Sequence, residues 1–104
     1  MRNTTTVEIF GPIAAITTFE TEEEAIRVAN DTEFGSISYV YTRDLSRGLR
    51  VLERMEGGIV GLNLGLVSDP AAPFGGTKQS GLCREGAHHR ILEFCETKYI
   101  AVAW

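Results

Sequence analysis

The sequence predicts an α/β chain: a βαβαβ layer followed by one further helix and a closing strand. Two observations carry this expectation. Between Ile13 and Leu64, β-type segments take turns with segments whose apolar residues recur at helical spacing. That alternation marks strands joined by helical crossovers, which are right-handed by the usual chirality. Eight of the eleven glycines then fall between Gly57 and Gly86, so the layer should give way there to loop.

In chain order, Phe10-Gly11-Pro12 is a turn signature, and Ile13 to Phe19 is rich in β-branched and apolar residues, as a strand is. Thr21 can cap a helix whose first turn, Glu22 to Glu24, complements the dipole. Ala25, Ile26, Val28 and Ala29 give it a buried face, and it should fade at Asn30-Asp31. Ser36 to Thr42 alternates as a second strand. Asp44 is the expected cap of a second helix, with Leu45, Leu49 and Leu52 on one stripe. Gly57-Gly58 stops it, and Ile59 to Leu64 is a third strand. A loop from about Gly65 to Gly81 follows, of a length that is usually functional. A helix from Arg84 to Glu93 and a strand from Thr97 to Ala103 complete the prediction.

The composition, 43% hydrophobic and 23% charged over 104 residues, is that of one globular domain at most and excludes a disordered or collagenous chain. A net charge of −4 argues against nucleic acid or an acidic membrane surface as partner. No apolar run reaches the roughly 18–20 residues of a membrane helix, and no signal peptide is legible at Met1–Thr6. A cytoplasmic protein with Cys83 and Cys95 as reduced thiols is the expectation.

Few residues point to self-contained catalysis. No dinucleotide fingerprint, phosphate-binding loop or serine elbow is present; Gly75-Gly76-Thr77-Lys78 lacks the required order. Cys83 and His88 could pair as nucleophile and base, but nothing orients the histidine. Cys83, His88, His89 and Cys95 match no usual zinc spacing; on one helix His88 and Cys95 would stand about 10.5 Å apart along the axis. Arg43, Arg47, Arg50 and Arg54 step along the second helix as a basic stripe. Without an aromatic platform, a solvated face is preferred over a phosphate contact.

A more specific signal lies in five stretches that occur in order: Glu8-Ile9-Phe10-Gly11-Pro12, Ala29 to Gly35, Tyr41 to Leu45, Pro73-Phe74-Gly75-Gly76-Thr77-Lys78-Gln79-Ser80-Gly81 and Glu96 to Tyr99. Together they resemble the C-terminal part, about the last fifth, of an NAD(P)-dependent aldehyde dehydrogenase. Gly65-Leu66-Val67-Ser68 is most similar to the succinate-semialdehyde branch. The resemblance implies half of a catalytic domain over residues 1–94 and an oligomerisation strand over 95–104. It implies that Glu8 hydrogen-bonds the nicotinamide-ribose hydroxyls of NAD or NADP and that Phe10 packs beside the nicotinamide. By the same resemblance Phe74 lines the aldehyde tunnel, and Ser68 helps hold the distal carboxylate of a semialdehyde. Arg84 and Glu96 match a structural pair tying the last helix to the last strand. The partners implied are a small aldehyde and further subunits, of this chain or of an aldehyde dehydrogenase.

The family's nucleophilic cysteine, general base, oxyanion-hole asparagine and dinucleotide fold match nothing in these residues. The chemistry they perform is thiolate attack on the aldehyde, hydride transfer to NAD(P)+ and thioester hydrolysis. No catalytic residue or metal ligand is therefore assigned, and Cys83 stands where the family usually has glycine. The expected function is a piece of an aldehyde-oxidising enzyme, silent alone. The alternative is a small assembly module that dimerises, or docks on a full-length relative, through its last strand.

Overall fold

A computed structural model describes residues 9–103, the side chain of His89 apart. Its elements are α1 (Glu22–Asn30), β1 (Phe34–Gly35), β2 (Ile37–Val40), α2 (Leu45–Arg54), β3 (Ile59–Leu62), β4 (Thr77–Lys78) and α3 (His89–Leu92). The central unit is β2–α2–β3. The two strands pair in parallel, Ile37 opposite Ile59 through Val40 opposite Leu62, and α2 crosses between them, packed on both. Gly48 is the buried residue of α2; lacking a side chain, it lets the Leu62 methyls come up against the helix. β1 and β4 form a short antiparallel pair, Phe34 opposite Lys78 and Gly35 opposite Thr77.

Both long helices start where side-chain chemistry dictates. Thr21 Oγ1 accepts the Glu24 N–H at 3.2 Å, and Glu24 Oε2 accepts the Glu20 N–H at 3.0 Å, an exchange of the capping-box kind. Asp44 Oδ1 accepts the Arg47 N–H at 3.2 Å and caps α2 in the same way. Three of the four arginines of the basic stripe are paired within the fold: Glu22 lies 3.5 Å from Arg47 and 3.0 Å from Arg50, and Glu23 takes Arg54 in a two-pronged pair. These contacts zip α1 to α2.

Three expectations are corrected. Residues 13–19 and 97–103 are exposed and form no strand, because a strand exists only with a ladder partner and none is supplied among the described residues. The helix expected from Arg84 to Glu93 shrinks to His89–Leu92. Its first turn is lost because Glu85 pairs with Phe74, and Gly86 and Ala87 take positive φ of 72° and 48°. The third strand ends at Leu62 instead of Leu64, because Asn63 turns to φ 54° and its side chain holds both backbone polar groups of Thr42.

The described residues bury almost nothing apolar. Ile26, 5% exposed, is their one buried large hydrophobe, and the other fully covered positions are Gly35, Gly48, Gly61 and Gly76. The radius of gyration is 18.2 Å, against about 13 Å for a compact domain of this length. Among the described residues no helix is long and apolar enough to cross a membrane.

Candidate functional site

The glycine-rich loop after β3 is where the expected substrate residues lie, and it divides into an anchored stem and a loose arm. The stem, residues 74–85, is a hairpin. Phe74 N–H donates to Glu85 O at 2.7 Å, and Glu85 N–H donates back to Phe74 O at 2.6 Å. Arg84 Nη1 ties the hairpin across itself, donating to Gly76 O at 2.7 Å and Cys83 O at 3.1 Å. Gly75 and Gly76 press on Gly58 at the start of β3, where a Cβ would fall 2.1 Å from Gly75 O. Only glycine permits that approach.

From there the chain enters β4, and four consecutive side chains bind segments far away in sequence. Thr77 Oγ1 donates to Glu56 O at 2.8 Å, in the turn between α2 and β3. Lys78 Nζ donates to Asn30 O at 2.8 Å and Thr32 O at 3.0 Å, and lies 2.6 Å from Glu56 Oε2. Gln79 Nε2 donates to Glu33 Oε2 at 2.7 Å, and Ser80 Oγ accepts the Gly35 N–H at 3.0 Å. Asn30 completes the network. Its Nδ2 donates to Arg54 O at 2.7 Å and its Oδ1 accepts the Glu56 N–H at 3.0 Å. The ends of α1 and α2, the β1 edge and the loop stem therefore meet at one polar junction.

The arm, residues 64–72, carries Ser68 and is held more sparsely. Tyr41 Oη donates to Leu64 O at 2.7 Å, Asp69 closes a local turn on Ala71 and Ala72, and Ala87 N–H reaches Pro70 O at 3.3 Å. Ser68 is exposed and makes no hydrogen bond among the described residues. Phe74 is 38% exposed, a ring with one side free.

Of the other expected residues, Glu8 lies outside the described ones. Phe10 is 82% exposed, and residues 9–19 make no hydrogen bond to the remaining described residues, so among the described residues no hydrogen bond ties Phe10 to the loop. Arg84 and Glu96 do not pair. The guanidinium is spent on the carbonyls of Gly76 and Cys83 instead, while Glu96 stands exposed. Sequence reasoning missed Asn30, Thr77, Lys78 and Gln79 as a junction; both stretches containing them stand out in the sequence, but spacing alone does not say that they touch.

The electrostatics do not favour nucleophilic chemistry in these residues. Both cysteines are free and exposed. The Glu93 carboxylate beside Cys83 raises its thiol pKa, with Arg84 opposing, the reverse of what activates a thiol. No three His, Cys, Asp or Glu side chains gather as a metal site among the described residues. For a dinucleotide, Phe10 offers an accessible ring face. The starts of α1 and α2 offer no pyrophosphate cradle, since Thr21 and Asp44 already occupy their own helix ends. The residues present fit contact with a nicotinamide, not with its phosphates.

The profile of the aldehyde dehydrogenase family matches residues 2–100. The succinate-semialdehyde dehydrogenase of Paenarthrobacter nicotinovorans is 55% identical over 96 residues, 92% of this chain and 21% of that protein. The glutarate-semialdehyde dehydrogenase of Pseudomonas putida is 51% identical over 96 residues, 92% of this chain and 20% of its own length. The crystal structure of an E. coli NADP-dependent enzyme superposes with a TM-score of 0.90 at 49% identity, covering 96% of this chain and 21% of that one. The chain thus spans about a fifth of the length of the curated relatives it matches.

Proposed function

The chain belongs to the aldehyde dehydrogenase family, and from that premise we propose that it forms one wall of a site oxidising an aldehyde with a distal carboxylate, succinate semialdehyde first. The observation that carries this reading is the loop stem. A half-exposed Phe74 is held at both backbone polar groups on a hairpin bonded to the end of α1, the turn after α2 and β1, a rigid support of the kind that substrate positioning requires. In this reading Phe74 covers the aldehyde end and excludes water. Ser68, hydroxyl exposed, donates to the far carboxylate. Phe10 restrains the nicotinamide, and Glu8 accepts from the ribose hydroxyls. Bound NAD+ or NADP+ supplies the hydride acceptor. Residues 1–94 then act as part of a catalytic domain.

The 104 residues alone are expected to be silent, since Cys83 sits beside the Glu93 carboxylate, which raises its thiol pKa. The test is a chimera in which this chain replaces the matching fifth of the Paenarthrobacter relative, assayed for NAD(P)+ reduction. Expected are turnover of succinate semialdehyde and, for Ser68→Ala, a higher KM for it with an unchanged KM for propanal. A Ser68→Ala chimera with both KM values unchanged, or turnover by the isolated chain that thiol alkylation abolishes, overturns the assignment.

A second reading is favoured by residues 97–103, which are unpaired and exposed, with Tyr99 at 89%. A β-rich edge without a neighbour is a template for another chain, so residues 95–104 serve as an assembly strand between subunits.

A further inference from the structure

We propose that Lys78 is the positioning residue of the Phe74 loop: its ammonium sets where that ring stands, and thereby how tightly the aldehyde is held. The proposal rests on the reading of Phe74 as a wall of the aldehyde site. A lysine ammonium has three N–H donors and no acceptor. Here its acceptors are three, Asn30 O, Thr32 O and Glu56 Oε2, at 2.8, 3.0 and 2.6 Å. They come from two separate elements, the carbonyl end of α1 and the turn leading into β3. A cation at a helix C-terminus is favourable in itself, and the carboxylate makes the third contact charge-assisted. Lys78 holds φ at 54°, a backbone state uncommon outside glycine, so the contacts of its neighbourhood outweigh the local cost of that turn.

The path from Lys78 to Phe74 is short and stiff. Between them lie only Gly75 and Gly76, seated on Gly58 without room for a Cβ, and Thr77, laddered to Gly35. The Glu85 bridge fixes Phe74 from the other side. A shift of the ammonium anchor has nowhere to be absorbed before it reaches the ring. The Ser68 arm hangs instead from Tyr41 and Ala87, with Asp69 closing a turn inside it, so the Lys78 anchor acts directly on Phe74 and only through the chain on the carboxylate contact. This separation distinguishes a positioning role from general stabilisation, which would loosen both.

Two measurements test it. On the 104-residue chain, hydrogen exchange is followed in the parent, Lys78→Met and the milder Glu56→Gln. Faster exchange at the Phe74 and Glu85 amides in the variants is expected, with the Asn63 amide, which donates to Val40 O, keeping its parental rate. Unchanged Phe74 exchange in both variants, a parent whose Phe74 amide is already unprotected, or loss of protection everywhere in the milder variant overturns the proposal. In the chimera, Lys78→Met is expected to raise KM about tenfold or more for succinate semialdehyde and propanal alike, with kcat little changed. Lys78→Arg, which keeps the charge but not the compact three-donor head, should restore part of it. A KM change confined to the semialdehyde would place Lys78 on the carboxylate and overturn the inference, while leaving the Ser68→Ala result to judge the proposed function.

Discussion

Replacing Gly58 by alanine adds one methyl group at the place where the loop stem rests on β3. The added Cβ would lie 2.1 Å from Gly75 O, 2.8 Å from Gly76 Cα and 2.9 Å from Gly75 C, where ordinary contact begins near 3.4 Å. All three are backbone atoms, so no rotamer change relieves the clash and the loop must retreat by about 1.3 Å. Overpacking of this kind costs about 1–3 kcal/mol. The stiffer unfolded chain returns about 0.4–1 kcal/mol, so the clash wins and a net loss of about 1–2 kcal/mol is expected. With a urea slope near the low end for small proteins, about 1 kcal/mol per M, that lowers the unfolding midpoint by about 1–2 M. Circular dichroism in urea measures it, and hydrogen exchange at Phe74 should quicken in parallel. Gly65→Ala is the control, because a Cβ there meets nothing within 4 Å. If Gly58→Ala unfolds at the parental midpoint with Phe74 exchange unchanged, the stem does not rest on β3 as described.

Three further outcomes are expected. The hydrogen bond from Arg54 holds the Glu23 carboxyl below its ordinary pKa. A depressed folded pKa gives stability that is present above the unfolded value, about 4.3, and lost as pH falls through the folded one. Acid titration of helicity should therefore show a low-pH loss that Glu23→Gln removes; an identical acid profile in the variant refutes the pairing. Because the Glu93 carboxylate raises the Cys83 thiol, Glu93→Gln should speed alkylation of Cys83 by iodoacetamide at pH 8, and an equal or slower rate contradicts the contact. Deleting residues 97–104 should shift the mass seen by light scattering toward monomer; a parent chain that is already monomeric sinks the assembly-strand reading.

What the sequence made legible is what is local. Thr21 and Asp44 cap α1 and α2 as their types and positions predict, and the apolar spacing between them needs no distant information. The parallel pairing of β2 with β3 follows from the same logic, since a helical crossover returns the chain in the same direction. The failures are all non-local. Residues 13–19 and 97–103 have β-type composition, but composition cannot provide a ladder partner. Glu85 would extend a helix on propensity, yet the Phe74 backbone 11 positions earlier claims both its polar groups. The site shows the same division. The resemblance assigned roles to Phe74 and Ser68 from their motifs, whereas it gave no sign of Lys78 reaching 48 positions back to Asn30. Arg84 was assigned the wrong partner because nearby carbonyls satisfy a guanidinium as well as a distant carboxylate does.

The described residues combine a well-made polar junction with almost no apolar interior, and these two properties answer different questions. The hydrogen bonds of Lys78, Asn30 and Thr77 specify the geometry of this junction. Specification is not stability: each such bond contributes only about 0.5–1.5 kcal/mol net, and less where water competes. Burial supplies the larger share in most folds, and here Phe19, Leu45, Leu49, Phe94 and Ile100 all stand exposed. Variants at the polar junction should accordingly move the Phe74 loop more than they move global unfolding. Anything that covers the apolar faces should raise the unfolding midpoint while leaving the junction's hydrogen bonds as they are. The loop's position and the chain's stability are thus separable by experiment.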